Sequence, residues 1–329
     1  MRPKLTDVAK KAGCSPTTVS RVINNYGYIS QRTKDRVFAA MKELNYQPNT
    51  LARSLQGKKT KMIGVIFPAI TNPFFAELVA KIEEQLSKND YKMILCDANL
   101  GDSEKEKRYL QMLEANQVDG IIAGSHNLPV EEYNKTGLPI VSFDRDLSDQ
   151  IPIVSSDNYY GGFLATEALI KAGCKNIYFI GNAQKNGHPT FKRFSGYTDA
   201  IKKAGLQVHT SQSTFYESPV EKTMALRELL TGSEQIDGVF CSDDLTAILL
   251  IKQAKVLGIR VPEDLKIIGF DGTSLVQTYE PELATVVQPI SDLANMLVKL
   301  LYKRIEDPEK PIEKHSYILP VKLLNNATI

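Results

Sequence analysis

The chain has 329 residues, more than one hydrophobic core usually sustains, so two or three structural units are expected. Its 43% hydrophobic and 24% charged residues are those of a globular protein. It offers no run of about 20 apolar residues to cross a bilayer, and its basic amino terminus has no apolar stretch behind it, so a cytoplasmic protein is expected. The four cysteines, Cys14, Cys96, Cys174 and Cys241, are far apart and lack paired ligand spacing, which argues for reduced thiols over a disulfide framework or a metal centre.

The formal net charge of +2 hides an asymmetry. Residues 1–61 hold 13 of the 40 Lys and Arg but only Asp7, Asp35 and Glu43 among the acids, a net of +10, which leaves −8 for the remaining 268 residues. A compact basic head on an acidic body suits phosphate neutralisation with counterion release. A merely solvated basic face is the alternative.

In chain order, Thr6 to Ala12 reads as a short helix with Thr6 as its N-cap, with Val8, Ala9 and Ala12 on one inward stripe and Gly13 as its stop. Ser15 then caps a second helix whose first position is Pro16, where the missing amide hydrogen costs nothing. Val19, Val22 and Ile23 face inward, leaving Pro16, Thr17, Ser20 and Arg21 as a narrow polar face able to enter a major groove. A third helix spans about Gln31 to Asn45, with Val37, Ala40, Met41 and Leu44 at helical spacing before Pro48. Residues 49–55 carry helix formers but are too few to hold a helix alone, so ordering on DNA is expected, and residues 56–61 read as a linker.

From Met62 the chain alternates β-branched runs with amphipathic stretches: strands at Met62–Phe67, Lys92–Cys96, Gly120–Ala123, Ile140–Phe143, Asn176–Ile180, Gly238–Cys241 and Leu265–Phe270, with a helix from about Phe74 to Ser87. This rhythm predicts α/β architecture with two parallel sheets, each covered by helices, and ligands at the strand carboxyl ends. The residues just past those ends are Asn72, Asp144-Arg145, Asp243-Asp244 and Asp271, groups that exchange hydrogen bonds with adjacent sugar hydroxyls. Phe74, Phe75 and Tyr216 could cover an apolar sugar face, though a Phe-Phe pair opening a helix also suits core. Asp271 could instead be a turn carboxylate, and of Asp243 and Asp244 one is expected to bind ligand and the other to cap the helix near Leu245.

The head resembles the lactose-repressor (LacI/GalR) family in Asp7-Val8-Ala9, Ala12-Gly13, Ser15, Thr18 to Val22 and Leu44-Asn45-Tyr46-x-Pro48-Asn49. The body resembles the same family, whose effector domain is similar to periplasmic sugar receptors. The matching runs are Thr71 to Phe75, Asp144-Arg145, Ser156 to Tyr159, Arg193-Phe194-x-Gly196-Tyr197, Ser242-Asp243-Asp244 and Gly269-Phe270-Asp271.

The resemblance implies a helix-turn-helix DNA-binding domain at 1–48, a hinge helix and linker at 49–61, and a two-lobed effector and dimerisation body at 62–329. One lobe would hold about 62–158 and 290–317, the other about 159–289 and 318–329. DNA would be met by Thr6, Ser15, Pro16, Thr17, Ser20, Arg21 and Asn24 from the head. Proline leaves only an apolar contact such as a thymine methyl, which makes Arg21 the candidate for guanine, with a phosphate clamp as its alternative. Asn49, Ala52 and Leu55 would act from the hinge, Leu55 wedging between base steps of the minor groove or else belonging to a plain linker. A sugar would be held by Arg193, Asp243 and Asp271 from one lobe and Asn72, Asp144 and Phe75 from the other, with Tyr216 and Gln288 joining them.

Gln117 to Ile122, His126-Asn127 and Ile151-Pro152 to Asn158 resemble the branch governing sucrose operons in Gram-positive bacteria; ribose-type repressors share several of these runs. The expected effector is sucrose, fructose or a phosphate of these. His126 could touch it or sit solvated in a loop. The leucine heptad extension of the family's tetramers is not found after the last strand, so a homodimer on a palindromic operator is expected. A global catabolite regulator answering to a phosphorylated carrier protein is a further option. No cofactor, metal or membrane partner is expected. An enzyme using Asp243, Asp244 or Asp271 as acid or base lacks any accompanying Gly-rich phosphate loop, nucleophile elbow or histidine cluster, and a transporter-linked solute receptor is opposed by the basic head.

Overall fold

The computed structural model describes residues 3–47, 59–98, 101–125, 127–128, 130–183, 189–213, 217–232 and 235–329. It divides into two compact units, Met1–Thr60 and Lys61–Ile329.

In the first unit, α1 (Leu5–Ala12), α2 (Pro16–Ile23) and α3 (Gln31–Glu43) enclose a small core of Val8, Ala9, Ala12, Val19, Val22, Val37 and Ala40. The expected N-cap at Thr6 is corrected: α1 starts two residues earlier, with Lys4 as N-cap and its amide donating to Asp7 Oδ2 at 2.7 Å. An acidic third residue competes well for that amide near the positive helix end, and Thr6 lies exposed within the first turn. Gly13 ends α1 in the left-handed conformation (φ 63°), donating back to Lys10 and Ala9. The third helix stops at Glu43, short of the expected Asn45, because Asn45 itself takes a left-handed turn (φ 47°).

The second unit contains two six-stranded sheets. The strands and helices run β1 (Met62–Phe67), α4 (Pro73–Ser87), β2 (Lys92–Asp97), α5 (Ser103–Ala115), β3 (Gly120–Ala123), α6 (Val130–Asn134), β4 (Ile140–Phe143) and β5 (Ile153–Ser156). The chain then passes into α7 (Asn158–Lys171), β6 (Ile177–Gly181), α8 (Pro189–Lys203), β7 (His209–Gln212), α9 (Pro219–Thr231), β8 (Gly238–Cys241), α10 (Asp244–Val256), β9 (Lys266–Asp271), α11 (Ser274–Tyr279) and β10 (Ala284–Val287). It returns through α12 (Ile290–Glu306) and β11 (Ser316–Leu319) and finishes with β12 (Lys322–Leu324).

The first sheet has the order β11-β5-β4-β3-β1-β2 and the second β12-β10-β9-β8-β6-β7. Only the β10–β12 pair is antiparallel among the strand pairs described. Helices cover both faces, so central strands are buried throughout and read as unbroken apolar runs, such as Ile63–Phe67 and Ile267–Phe270. Helix α12 returns to the first sheet, where Leu293, Leu297 and Leu301 join Leu78, Ile82 and Leu86 of α4 in one core. The first sheet continues through Leu319, past the expected lobe boundary at 317, because β11 pairs Leu319 with Ser156.

Candidate functional sites: a helix face and an interlobe cleft

On the head, Ser15 Oγ accepts the Thr18 amide at 3.1 Å, and Pro16 follows at the first helical position. Holding the helix start this way leaves Pro16, Thr17 and Arg21 exposed on the side opposite Val19 and Val22. Ser20 is half-buried, and its Oγ accepts from Asn24 Nδ2 at 3.3 Å. Lys11 and Glu43 join α1 to α3 at 2.7 Å. Asn49, Ala52 and Leu55 lie outside the described residues.

In the body, parallel topology brings the strand carboxyl ends of both sheets to one interlobe region. Arg193 of α8 is its centre. The guanidinium is buried, lies 3.6 Å over the Phe270 ring, donates from Nε to Asn158 Oδ1 at 2.8 Å and from Nη1 to the Ser242 carbonyl at 2.5 Å, and stands 3.8 Å from Asp271 Oδ1. Asp271 receives Gln288 Nε2 at 2.7 Å, and Gln288 Oε1 accepts Ser156 Oγ at 2.7 Å, so a buried chain of hydrogen bonds runs from the second lobe to the first. Asp144, at the end of β4, accepts from Asn158 Nδ2 at 3.3 Å. Two of these carboxylates sit on uncommon backbone, Asp144 at φ 59° and Asp271 at φ 125°, a strain often kept where a side chain must be aimed.

Dry surroundings dominate the electrostatics. Burial raises Asp144 to about 6 against the opposing pull of Arg193, Lys192 and the Asn158 hydrogen bond. It raises Asp244 to about 7 despite hydrogen bonds from Thr285 and Gly272, and pushes Asp271 well above the usual carboxylate range despite Arg193. Arg193 is lowered by the same burial and supported by Asp271 and Asp144.

The structure resolves the acidic pair. Asp243, expected to hold the sugar, is the N-cap of α10: its oxygens accept the Thr246 amide and hydroxyl, both at 2.8 Å. Asp244 is buried and accepts from the Gly272 amide at 2.7 Å and Thr285 Oγ1 at 2.5 Å. The ligand role given to Asp243 therefore has to share oxygens already committed to the helix start. Asn72 is also a cap, accepting the Phe74 amide at 2.8 Å. Phe74 is core, whereas half-buried Phe75 packs against Phe67 and edge-on against Phe74. The turn-carboxylate alternative for Asp271 is not what is seen, since Gly272 gives its amide to Asp244. Arg145 donates to the carbonyls of Ser125 and Leu128, which follow β3. Tyr216 and His126 lie outside the described residues.

A narrow crevice between the lobes is lined by Asn72, Pro73 and Phe74 on one side and Asp244, Leu245, Asp271, Thr273 and Val276 on the other. Beside it Glu77 Oε2 accepts both the amide and the hydroxyl of Ser274 at 2.8 Å, a direct link between α4 and α11. Sequence reasoning missed Ser156, Asn158, Thr285 and this link. Ser156 and Asn158 lie in the Ser156 to Tyr159 run that carried the resemblance, but no site role was read for either, and Asp157 between them caps α7. Among the described residues no cluster of three or more His, Cys, Asp or Glu could hold a metal ion, and no helix is long and apolar enough to cross a membrane.

Residues 4–49 match the pattern of bacterial regulatory proteins of the lacI family, and residues 166–328 match the periplasmic binding protein-like domain. The chain is 54% identical to the sucrose operon repressor of Pediococcus pentosaceus, with 100% of both chains covered. The chain belongs to the LacI family. A second relative, the sucrose operon repressor of Streptococcus mutans, is 48% identical, again with 100% of both chains covered. Among solved structures, the Lac repressor dimer bound to operator and the anti-inducer ONPF superimposes with a TM-score of 0.86 at 25% identity, over 100% of this chain and 99% of that one. Within the LacI family, Arg193, Asp271 and Gln288 thus belong to the periplasmic binding protein-like domain of this chain and Ser15 to Arg21 to its regulatory head.

Proposed function

We propose that this chain is a sequence-specific repressor of a sugar-utilisation operon, its head reading a palindromic operator as a homodimer and its body lowering operator affinity when a sugar enters the interlobe cleft. The effector is sucrose, fructose or a phosphate of these, in keeping with the names of its relatives. The head spans 1–48, the hinge 49–61 and the body 62–329.

One observation carries the reading: a buried guanidinium ringed by Asp144 and Asp271 at the carboxyl ends of two parallel sheets, in the same chain as a basic helix-turn-helix unit. Carboxylates and a guanidinium in dry surroundings supply the paired acceptors and donors that vicinal hydroxyls need. The switch requires differential affinity of the two lobe arrangements, a coupling of about 1–3 kcal/mol, or about 5- to 150-fold in operator affinity. The test is selection of operators from random duplexes by the full chain, then titration of sucrose, fructose and their phosphates into the selected complex. A palindrome released by at least one sugar is expected; no palindromic preference at physiological ionic strength would overturn the reading.

A further inference from the structure

Helix α7 begins where the chain leaves the first sheet and enters the second lobe. Asp157 caps it by accepting the Tyr160 amide at 2.9 Å, so Asn158, the first helical residue, is free to turn its amide inward, where it is 1% exposed. There it engages both ends. Its Oδ1 accepts Arg193 Nε at 2.8 Å, while its Nδ2 donates to Asp144 Oδ1 at 3.3 Å and to the Ser156 carbonyl at 3.1 Å.

We propose that Asn158 is a positioning residue for effector recognition, fastening the cation of the second lobe, Arg193, to the carboxylate of the first, Asp144. The proposal rests on the reading of the cleft as the effector site. It follows from the inventory of donors and acceptors. A guanidinium only donates and an ionised carboxylate only accepts, so the residue between them must accept on one side and donate on the other. A carboxamide does both, and it can do so in one orientation only: turning it over would set donor against guanidinium and acceptor against carboxylate. Aspartate could serve Arg193 but would face Asp144 with like charge. Leucine could serve neither.

The same helix also fixes the main chain of Arg193. One turn on from Asn158, Gly162 lies so close to α8 that a Cβ built on it would overlap the Arg193 carbonyl oxygen and stand 2.9 Å from the Arg193 Cα. Backbone and side chain of Arg193 are thus both set by α7. The guanidinium faces Asp271, Asp144, Asp243 and Asp244, and Asp144 in turn faces Arg193 and Lys192. Removing the amide would leave Arg193 free to swing toward Asp271 and would take from Asp144 a hydrogen bond that favours its ionised form.

The experiment uses the full chain on its selected operator with sucrose, fructose and their 6-phosphates as probes. It compares Asn158→Asp, which keeps the shape, Asn158→Ser, which shortens it, and Arg193→Lys as a control on the cleft itself. The sugar concentration that releases half the operator is measured from pH 5.5 to 8, with thermal melting to confirm cooperative folding. Both Asn158 variants are expected to need about tenfold more sugar or above, as for loss of a hydrogen bond to charged groups, and to move the midpoint of the pH profile upward. A residue that only filled space would weaken binding without moving that midpoint, and such a result overturns the proposal. If Arg193→Lys abolishes release while both Asn158 variants respond like the parent, the proposal fails and the cleft reading stands. If Arg193→Lys still releases normally, or no probe releases the parent, the cleft reading fails and takes the proposal with it.

Discussion

Replacing Gly162 by alanine is the sharpest test of how the cleft is built. The new Cβ would overlap the Arg193 carbonyl oxygen and lie 2.8 Å from its carbonyl carbon. Ordinary carbon contacts begin near 3.5 Å, so α8 must retreat by roughly 0.7 Å or more along its contact with α7. Backbone cannot rotate out of the way as a side chain does. The opposite contact is equally tight, since a Cβ at Gly196 would stand 2.7 Å from the Phe163 amide nitrogen, which blocks a compensating slide. Overpacking of this kind costs about 1–3 kcal/mol, which for a body of this size lowers Tm by about 2–12 °C. Because the atoms displaced belong to Arg193, sugar response should fall along with stability. The assay is thermal melting of Gly162→Ala together with the sugar concentration for half-release of operator. A variant with the parent's Tm and an unaltered sugar response would refute the claim that this crossing sets Arg193.

Acidity should act on the body in a defined direction. Asp144 keeps its proton to about pH 6 and Asp244 to about 7 when folded, whereas an unfolded Asp releases it near 3.8, so the folded body binds more protons in that window and loses stability as pH rises through it. Tm of the sugar-free protein should therefore fall between pH 5 and 7.5, with Asp144→Asn flattening the lower part; an identical pH slope in the variant would contradict this. Ser15→Ala removes the acceptor for the Thr18 amide at the start of α2 and should speed amide exchange across residues 17–23 about fivefold, the equivalent of about 1 kcal/mol, with Ser15→Gly losing much less. Arg21→Ala should cost about 1–3 kcal/mol in operator binding and relax preference at a single base pair. A uniform loss over all sequences with a shallower salt dependence would show a phosphate contact instead.

Much of this was legible in the sequence because the signals were local. Ser15 and Pro16 mark a helix start by chemistry that acts within three residues, and the apolar strand runs announce burial on both faces. Thr6 misled because a cap residue looks the same whether or not an acid three positions after an earlier residue, here Asp7 after Lys4, wins the competition. In the cleft, Arg193 and Asp271 could be named from matching runs, yet their partners depend on contacts between residues far apart in the chain. Gln288 meets Ser156 across 132 positions and Ser274 meets Glu77 across 197, and no periodicity encodes such pairs. The choice between Asp243 and Asp244 turned on which of them stands at the N-cap: Asp243, in ordinary extended backbone, caps α10, and its neighbour turns inward to Gly272 and Thr285.

The chain passes between the lobes three times, through Asn158, through Pro289 and between Leu319 and Lys322. Neither sheet is therefore a continuous stretch of sequence, and each takes an edge strand, β11 or β12, from within residues 316–324. Thr328 closes the second sheet as well, its hydroxyl donating to the Ile267 carbonyl at 2.7 Å and accepting the Ala284 amide at 2.9 Å. Both halves of the body must therefore wait for residues 316–328 before their sheets are closed. A truncation there would leave two sheets with raw edges at once, a state prone to aggregation.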